Sequence, residues 1–173
     1  MKKCIEPGDA VVDATCGRGK DTLFLARLVG PSGKVWAFDI QPEAIESTRQ
    51  HLVQAGCIKQ VVLISDDHKN IGKHVKQPVN GGMFNLGYLP GGDHRLVTRA
   101  ESTLAALEGI LDLLVAGGRI TLVCYPGHPG GAAEYEQLSK MLAALPQRQY
   151  EILETGFVNQ RNAPPRLFSI TKI

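Results

Sequence analysis

Several features are scarce in this chain of 173 residues. Long apolar runs are missing, and none approaches the roughly 20 residues that a membrane-spanning helix needs. The opening segment, Met1 to Pro7, lacks the apolar stretch of a secretion signal, so the cytoplasm is the expected compartment. An excess of one charge is missing too. With 19 basic and 17 acidic residues the net charge is +2, and any nucleic-acid role must rest on a local patch. The cysteines Cys4, Cys16, Cys57 and Cys124 form no Cys-x-x-Cys pair, and His51, His68, His74, His94 and His128 do not cluster with them. These spacings offer no metal site; free thiols in a reducing compartment are expected. There is no repeat, low-complexity segment or domain boundary. Hydrophobic residues at 43% and charged residues at 21% suit one soluble domain over residues 1–173.

What is present is an alternation of β-branched runs with amphipathic stretches, the pattern of βαβ units around a mostly parallel sheet. Ala10–Ala14 reads as a buried strand, followed by a glycine turn and a helix from about Asp21 to Val29. The breakers Gly30-Pro31-Ser32-Gly33 end that helix. Lys34–Phe38 is the second strand, closed by Asp39. Pro42 sits where a first helical turn tolerates it, and the helix runs to about Ala55. Val61–Ile64 is the third strand, with a short helix after His68. Gly82–Leu86 is the fourth, leading into a Gly/Pro-rich loop. A helix over Thr98–Val115 presents Leu104, Leu107, Leu111 and Leu114 on one face. Arg119–Cys124 is the fifth strand and Ala132–Leu145 the next helix. Tyr150–Thr155 and Leu167–Thr171 close the chain with no helix between them, which predicts an antiparallel pair at the sheet edge.

The first turn reads Asp13-Ala14-Thr15-Cys16-Gly17-Arg18-Gly19-Lys20-Asp21-Thr22. Gly17 and Gly19 allow close backbone approach, and the helix they open attracts an anionic group through its free N–H groups. Twenty residues beyond Gly19, Asp39 ends the second strand, where a carboxylate can accept both hydroxyls of a ribose. Together these predict an adenosine-containing cofactor. A dinucleotide fingerprint wants Gly or Ala where Thr22 stands, and Asp13 suits an ammonium better than phosphates, so S-adenosylmethionine (SAM) fits better than NAD. Asp67-His68, after the third strand, is placed to meet the adenine; the plainer reading of Asp67 is a helix N-cap, and of His68 a surface histidine. Asn85 and Tyr88 end the fourth strand, on the side where ligands bind in open α/β sheets. The amide of Asn85 can grip an N–H donor and the ring of Tyr88 can stack on a base. A turn cap and a core aromatic are the plainer readings.

On these residues the chain resembles the class I SAM-dependent methyltransferases, and within them the MnmM (YtqB-type) family, also labelled rRNA methylases. The resemblance is carried by Asp13-Ala14-Thr15-x-Gly17-x-Gly19-x-Asp21-Thr22, Phe38-Asp39-Ile40-Gln41, Phe84-Asn85-Leu86-Gly87-Tyr88-Leu89-Pro90-Gly91-Gly92-Asp93, and Asn159-Gln160 with Pro164-Pro165. It implies a Rossmann-like class I methyltransferase fold with a seven-stranded, mostly parallel sheet and an antiparallel C-terminal strand pair. It implies methylation, on tRNA, of the 5-aminomethyl group of a modified wobble uridine, giving 5-methylaminomethyl-2-thiouridine. Gly17, Arg18, Gly19, Lys20 and Thr22 would then cradle the methionine part of SAM, Asp39 and Gln41 the ribose, and Asp67 with His68 the adenosine end. Asn85 and Tyr88 would flank the accepting amine, with His68, His94 or water taking its proton. Arg95, Arg99, Arg161 and Arg166 are the candidate phosphate contacts. A homodimer is the family's expectation. Members usually carry a helix before the first strand, and only nine residues precede Ala10 here, which implies a shortened N-terminus. An rRNA or small-molecule amine methyltransferase and a non-catalytic, NAD-type nucleotide-binding module are the alternatives.

Overall fold

The computed structural model describes residues 1, 4–87 and 98–173. The β-branched runs become β1 (Ala10–Asp13), β2 (Lys34–Asp39), β3 (Val61–Ser65), β4 (Val79–Asn85), β5 (Leu114–Cys124), β6 (Tyr150–Gly156) and β7 (Arg166–Lys172). The amphipathic stretches become α1 (Lys20–Val29), α2 (Pro42–Gln54), the single turn α3 (Ile71–His74), α4 (Ala100–Leu113) and α5 (Gly131–Ala143). The strands form one sheet in the order β3-β2-β1-β4-β5-β7-β6. The first five run parallel; β7 pairs antiparallel with both β5 and β6, as the closing strand pair predicts.

Neighbouring residues on a strand point to opposite faces, so β1 feeds two cores at once. Val11 joins Leu25, Ala26, Val29, Val35 and Leu52 under α1 and α2. Val12 joins Phe38, Phe84, Leu107, Ile110 and Leu122 on the other face, where α3, α4 and α5 pack. Gly82 allows α4 to lie close to the sheet: a Cβ there would collide with the Ile110 side chain. Because β1 pairs with β2 on one side and β4 on the other, the chain order reverses between β1 and β4. Connections leave in opposite directions at such a switch point and open a crevice beyond the strands' carboxyl ends.

The boundary differences from the sequence reading that bear on the sheet lie at β4 and at the junction of α4 and β5. Strand β4 starts at Val79 rather than Gly82, because Val79 pairs with Leu114 before the register shifts and Gly81 pairs with Arg119. Helix α4 stops at Leu113, and Leu114 leaves the helix to enter β5. The apolar periodicity of Leu114 is real, since it is buried, but the burial is in the sheet. The register shift lies between Leu114 and Arg119, a stretch of β5 that includes Gly117, held at φ +78°, a conformation that favours glycine.

Candidate functional site

The carboxyl ends of the parallel strands open onto a cavity of about 830 Å³. The glycine turn forms its floor. Gly19 caps α1 at φ +81°, and a Cβ on it would stand 3.0 Å from Thr48 of α2, so the turn is fitted closely to its neighbour. Thr48 Oγ1 donates to the Gly17 carbonyl at 2.9 Å, and the Gly17 N–H donates to Asp39 Oδ2 at 3.0 Å. The other oxygen of Asp39 accepts from the Gln41 N–H at 3.0 Å. Burial pushes the Asp39 carboxyl above its ordinary value, and these two backbone donors oppose that shift. Each carboxylate oxygen keeps acceptor capacity for a ligand hydroxyl.

Asp13 and Thr22 bond each other. Neither lines the cavity. Asp13 is buried, with Oδ2 accepting from Thr22 Oγ1 at 2.6 Å and Oδ1 from the Thr15 N–H at 3.1 Å. Burial pushes its carboxyl up to about 7. The threonine that departs from the dinucleotide pattern is therefore a hydroxyl partner for the acid ending β1, and together they lock the turn to α1. Gly19 also lies beneath the cavity surface, while Gly17, Arg18, Lys20, Asp39 and Gln41 reach it.

On the far side of the turn, His68 is buried and its Nδ1 lies 3.0 Å from the Ala14 carbonyl. A carbonyl only accepts, so Nδ1 carries the proton and Nε2 presents a lone pair. Burial lowers the pKa of this ring, which keeps it neutral, and Nε2 has no hydrogen-bond partner among the described residues. His68 is thus a lining residue with an orphaned acceptor rather than a surface histidine. Asp67 is the helix N-cap that its plainer reading expects, and it also reaches the cavity. It caps the turn His68–Asn70 through the Lys69 N–H at 3.0 Å, accepts from Ser102 Oγ of α4, and lines the cavity.

Asn85 stands exposed at the end of β4, and its backbone N–H donates to Thr15 Oγ1 at 2.8 Å. Its side chain lies between two groups that sequence reasoning did not single out. Tyr125 donates its hydroxyl to Asn85 Oδ1 at 2.9 Å, and Asn85 Nδ2 lies 3.5 Å from Asp21 Oδ2. Tyr125 and His128, with ring centroids 5.6 Å apart, both line the cavity. The signal was available: Tyr125-Pro126-Gly127-His128 follows β5 directly, and the strand-end rule applied to Asn85 covers it equally. Tyr88, His94 and Arg95 lie outside the described residues. Gly87 and Thr98 close the stretch between them, the Gly87 N–H donating to Thr98 Oγ1 and the Thr98 N–H to the Gly87 carbonyl, each at 2.9 Å. Thr98 in turn donates to the buried Glu134 of α5 at 3.0 Å. Arg99 is exposed at the cavity edge, whereas Arg166 is paired with Glu154 at 3.6 Å, away from the lining.

This strand order, with β7 reversed and a crevice above β1 and β4, defines the class I SAM-dependent methyltransferase fold. The chain belongs to the family described as "Putative rRNA methylase", which matches residues 35–171. A Clostridium thermocellum protein of the same description shares 48% identity with a TM-score of 0.97, over 99% of this chain and 92% of that one. Streptococcus mutans SMU.1697c, solved in complex with SAH, shares 36% identity with a TM-score of 0.91, over 99% of this chain and 93% of its own. The tRNA (mnm(5)s(2)U34)-methyltransferase, chloroplastic, of Arabidopsis thaliana is 40% identical over 96% of this chain. The match spans 65% of that relative's length.

Proposed function

We propose that this chain is a single SAM-dependent methyltransferase domain acting on tRNA, converting 5-aminomethyl-2-thiouridine at the wobble position to 5-methylaminomethyl-2-thiouridine. The observation that carries the reading is one cavity with two chemically distinct ends. At one end lie the glycine turn, Asp39 and the orphaned Nε2 of His68; at the other, the exposed side chain of Asn85. The substrate is read from the Arabidopsis relative. The SAH complex of SMU.1697c supports the cofactor.

The residues present suit SAM. Asp39 has acceptor capacity for two ribose hydroxyls, with Gln41 beside it, and Nε2 of His68 lacks a donor that the adenosine end can supply. The backbone of Gly17, Arg18 and Lys20, at the start of α1, suits a methionyl carboxylate. When bound, SAM supplies a methyl group activated by a sulfonium. The chain's own residues orient the amine and keep water from it, which is where most of the rate enhancement in such a displacement arises. An alkyl amine is protonated in neutral water and must shed a proton before it attacks. Asn85 Oδ1, already accepting from Tyr125, keeps one lone pair for that amine.

Arg99, at the cavity edge, is the phosphate contact we retain among the described arginines; Arg161 is exposed beyond β6. The reading extends to a cytoplasmic homodimer, in which pairing enlarges the surface offered to tRNA. Among the described residues no helix is long and apolar enough to cross a membrane. Nucleoside mass spectrometry on tRNA lacking the final methyl, incubated with the protein and SAM, tests the reaction. Gain of one methyl on the 5-aminomethyl uridine is the expected result. Absence of gain in a preparation that binds SAM would remove the substrate assignment, and light scattering in the same preparation checks the dimer.

A further inference from the structure

The acceptor end of the cavity holds an anion that neither the fold nor the cofactor reading uses. Asp21 sits in the first turn of α1, and its Oδ2 faces Asn85 Nδ2 at 3.5 Å. Asn85 Oδ1 receives the Tyr125 hydroxyl at 2.9 Å. Three separate parts of the chain thus deliver one row: α1 brings Asp21, β4 brings Asn85, and the turn after β5 brings Tyr125. All three line the cavity. The row also fixes the amide. A phenol that donates must face Oδ1, so Nδ2 faces the carboxylate.

Within this row Asn85 commits one amide hydrogen and one lone pair of Oδ1, and its other Oδ1 lone pair stays open. What the row leaves open is acceptor capacity: the carboxylate of Asp21 and the lone pairs of Tyr125 Oη. Asp21 has no cationic partner among the described residues. Burial and the nearby Asp21 charge both raise the Tyr125 pKa, so the phenol keeps its proton and its donor role. A hydroxyl or ring carbon gains little from a fixed negative charge. An amine gains a great deal, because it arrives as a cation or becomes one.

We propose that Asp21 and Tyr125, braced across Asn85, form an ammonium seat that selects a primary alkyl amine as the methyl acceptor. This inference rests on the methyltransferase reading and names the chemistry that its acceptor end selects. During transfer the nitrogen lone pair becomes the new N–C bond, sulfur keeps the electron pair of the broken S–C bond, and the surplus proton on nitrogen leaves to water. Positive charge therefore moves from sulfur to nitrogen. A carboxylate held beside that nitrogen before reaction stabilises the charge where it develops, without reorganising to do so.

The test uses two ligands that share adenosine and the amino-acid tail. S-adenosylhomocysteine carries a thioether; sinefungin carries a primary amine on the carbon that replaces sulfur. Calorimetric titration of the full chain gives the ratio of their dissociation constants. Wild-type protein is expected to bind sinefungin at least about tenfold more tightly than S-adenosylhomocysteine. Asp21→Asn should bring the two within about twofold, and Tyr125→Phe should cut the preference about threefold. An Asp21 that held only the amino-acid tail would weaken both ligands alike, leave the ratio unchanged and overturn the seat. So would a wild-type protein with no preference. If Asp21→Asn does not fold by circular dichroism, the Tyr125→Phe ratio decides. Wild-type protein that binds neither ligand overturns the methyltransferase reading and the seat together. An intact sinefungin preference with no methyl gained by tRNA overturns only the tRNA assignment.

Discussion

The two ends of the cavity are built in opposite ways. Around the glycine turn nearly every polar group is committed: Asp13 to Thr22 and Thr15, Asp39 to Gly17 and Gln41, Thr48 to Gly17. These partners are mostly backbone or buried, and the turn is stitched to both α1 and α2. Around Asn85 the side chain is exposed, its contact to Asp21 is long, and its neighbours come from separate elements of the chain. A cofactor of fixed shape rewards the first kind of construction, because rigid donors and acceptors cost little to organise on binding. An acceptor nucleoside that must enter, react and leave rewards the second. The difference separates binding from transfer and makes the two functions independently breakable.

The sharpest way to break the contrast is Asn85→Ala. Transfer to tRNA should fall by about 1,000-fold, the cost of a misplaced acceptor group, while the dissociation constant for SAM stays within about twofold. Single-turnover kinetics paired with titration checks both halves. An equal loss of binding and transfer would place Asn85 in the cofactor end instead. The converse substitution is Asp39→Ala. It strands the N–H groups of Gly17 and Gln41 and removes the acceptor for the ribose hydroxyls, so SAM affinity should drop about 100-fold. Transfer at saturating SAM should change far less. A Kd unchanged by calorimetry would show that the ribose is held elsewhere.

The same contrast explains which parts of the site were legible in the sequence. The cofactor end follows from local chain geometry: strand, glycine turn, helix, and an acid twenty residues on. Gly17, Asp39 and Gln41 could be placed because each belongs to one βαβ unit, whose spacing is set by strand and helix lengths. Asp13 and Thr22 bond each other, a contact across nine residues that spacing alone does not reveal. The acceptor end is assembled from residues as far apart as Asp21 and Tyr125, joined through Asn85, and such convergence depends on how strands order themselves in the sheet. Seven strands and their closing antiparallel pair were readable from periodicity. Leu114 was not placed correctly, because a buried leucine satisfies a helical stripe and a strand face equally well. The pairing of Leu114 with Val79 of β4 decides between them.

The smallest expected effect concerns the buried acid itself. Asp13 ordinarily titrates near 3.8, and burial holds it at about 7 in the folded chain. The folded state therefore binds this proton more tightly than the unfolded state does. The stability associated with the protonated acid is fully present below about 4 and is lost as pH rises through about 7. At about 1.4 kcal/mol per pH unit the window is worth on the order of 4 kcal/mol. Asp13→Asn preserves the shape and removes the titration. Urea unfolding at several pH values between 4.5 and 8 should show the wild type losing stability relative to the variant as pH rises. Parallel curves would mean that Asp13 is ionised throughout, with Thr22 and Thr15 bonding it strongly enough to offset its burial. The turn would then owe its rigidity to a buried charge rather than to a shared proton, and binding of SAM near neutral pH should be insensitive to the state of this acid.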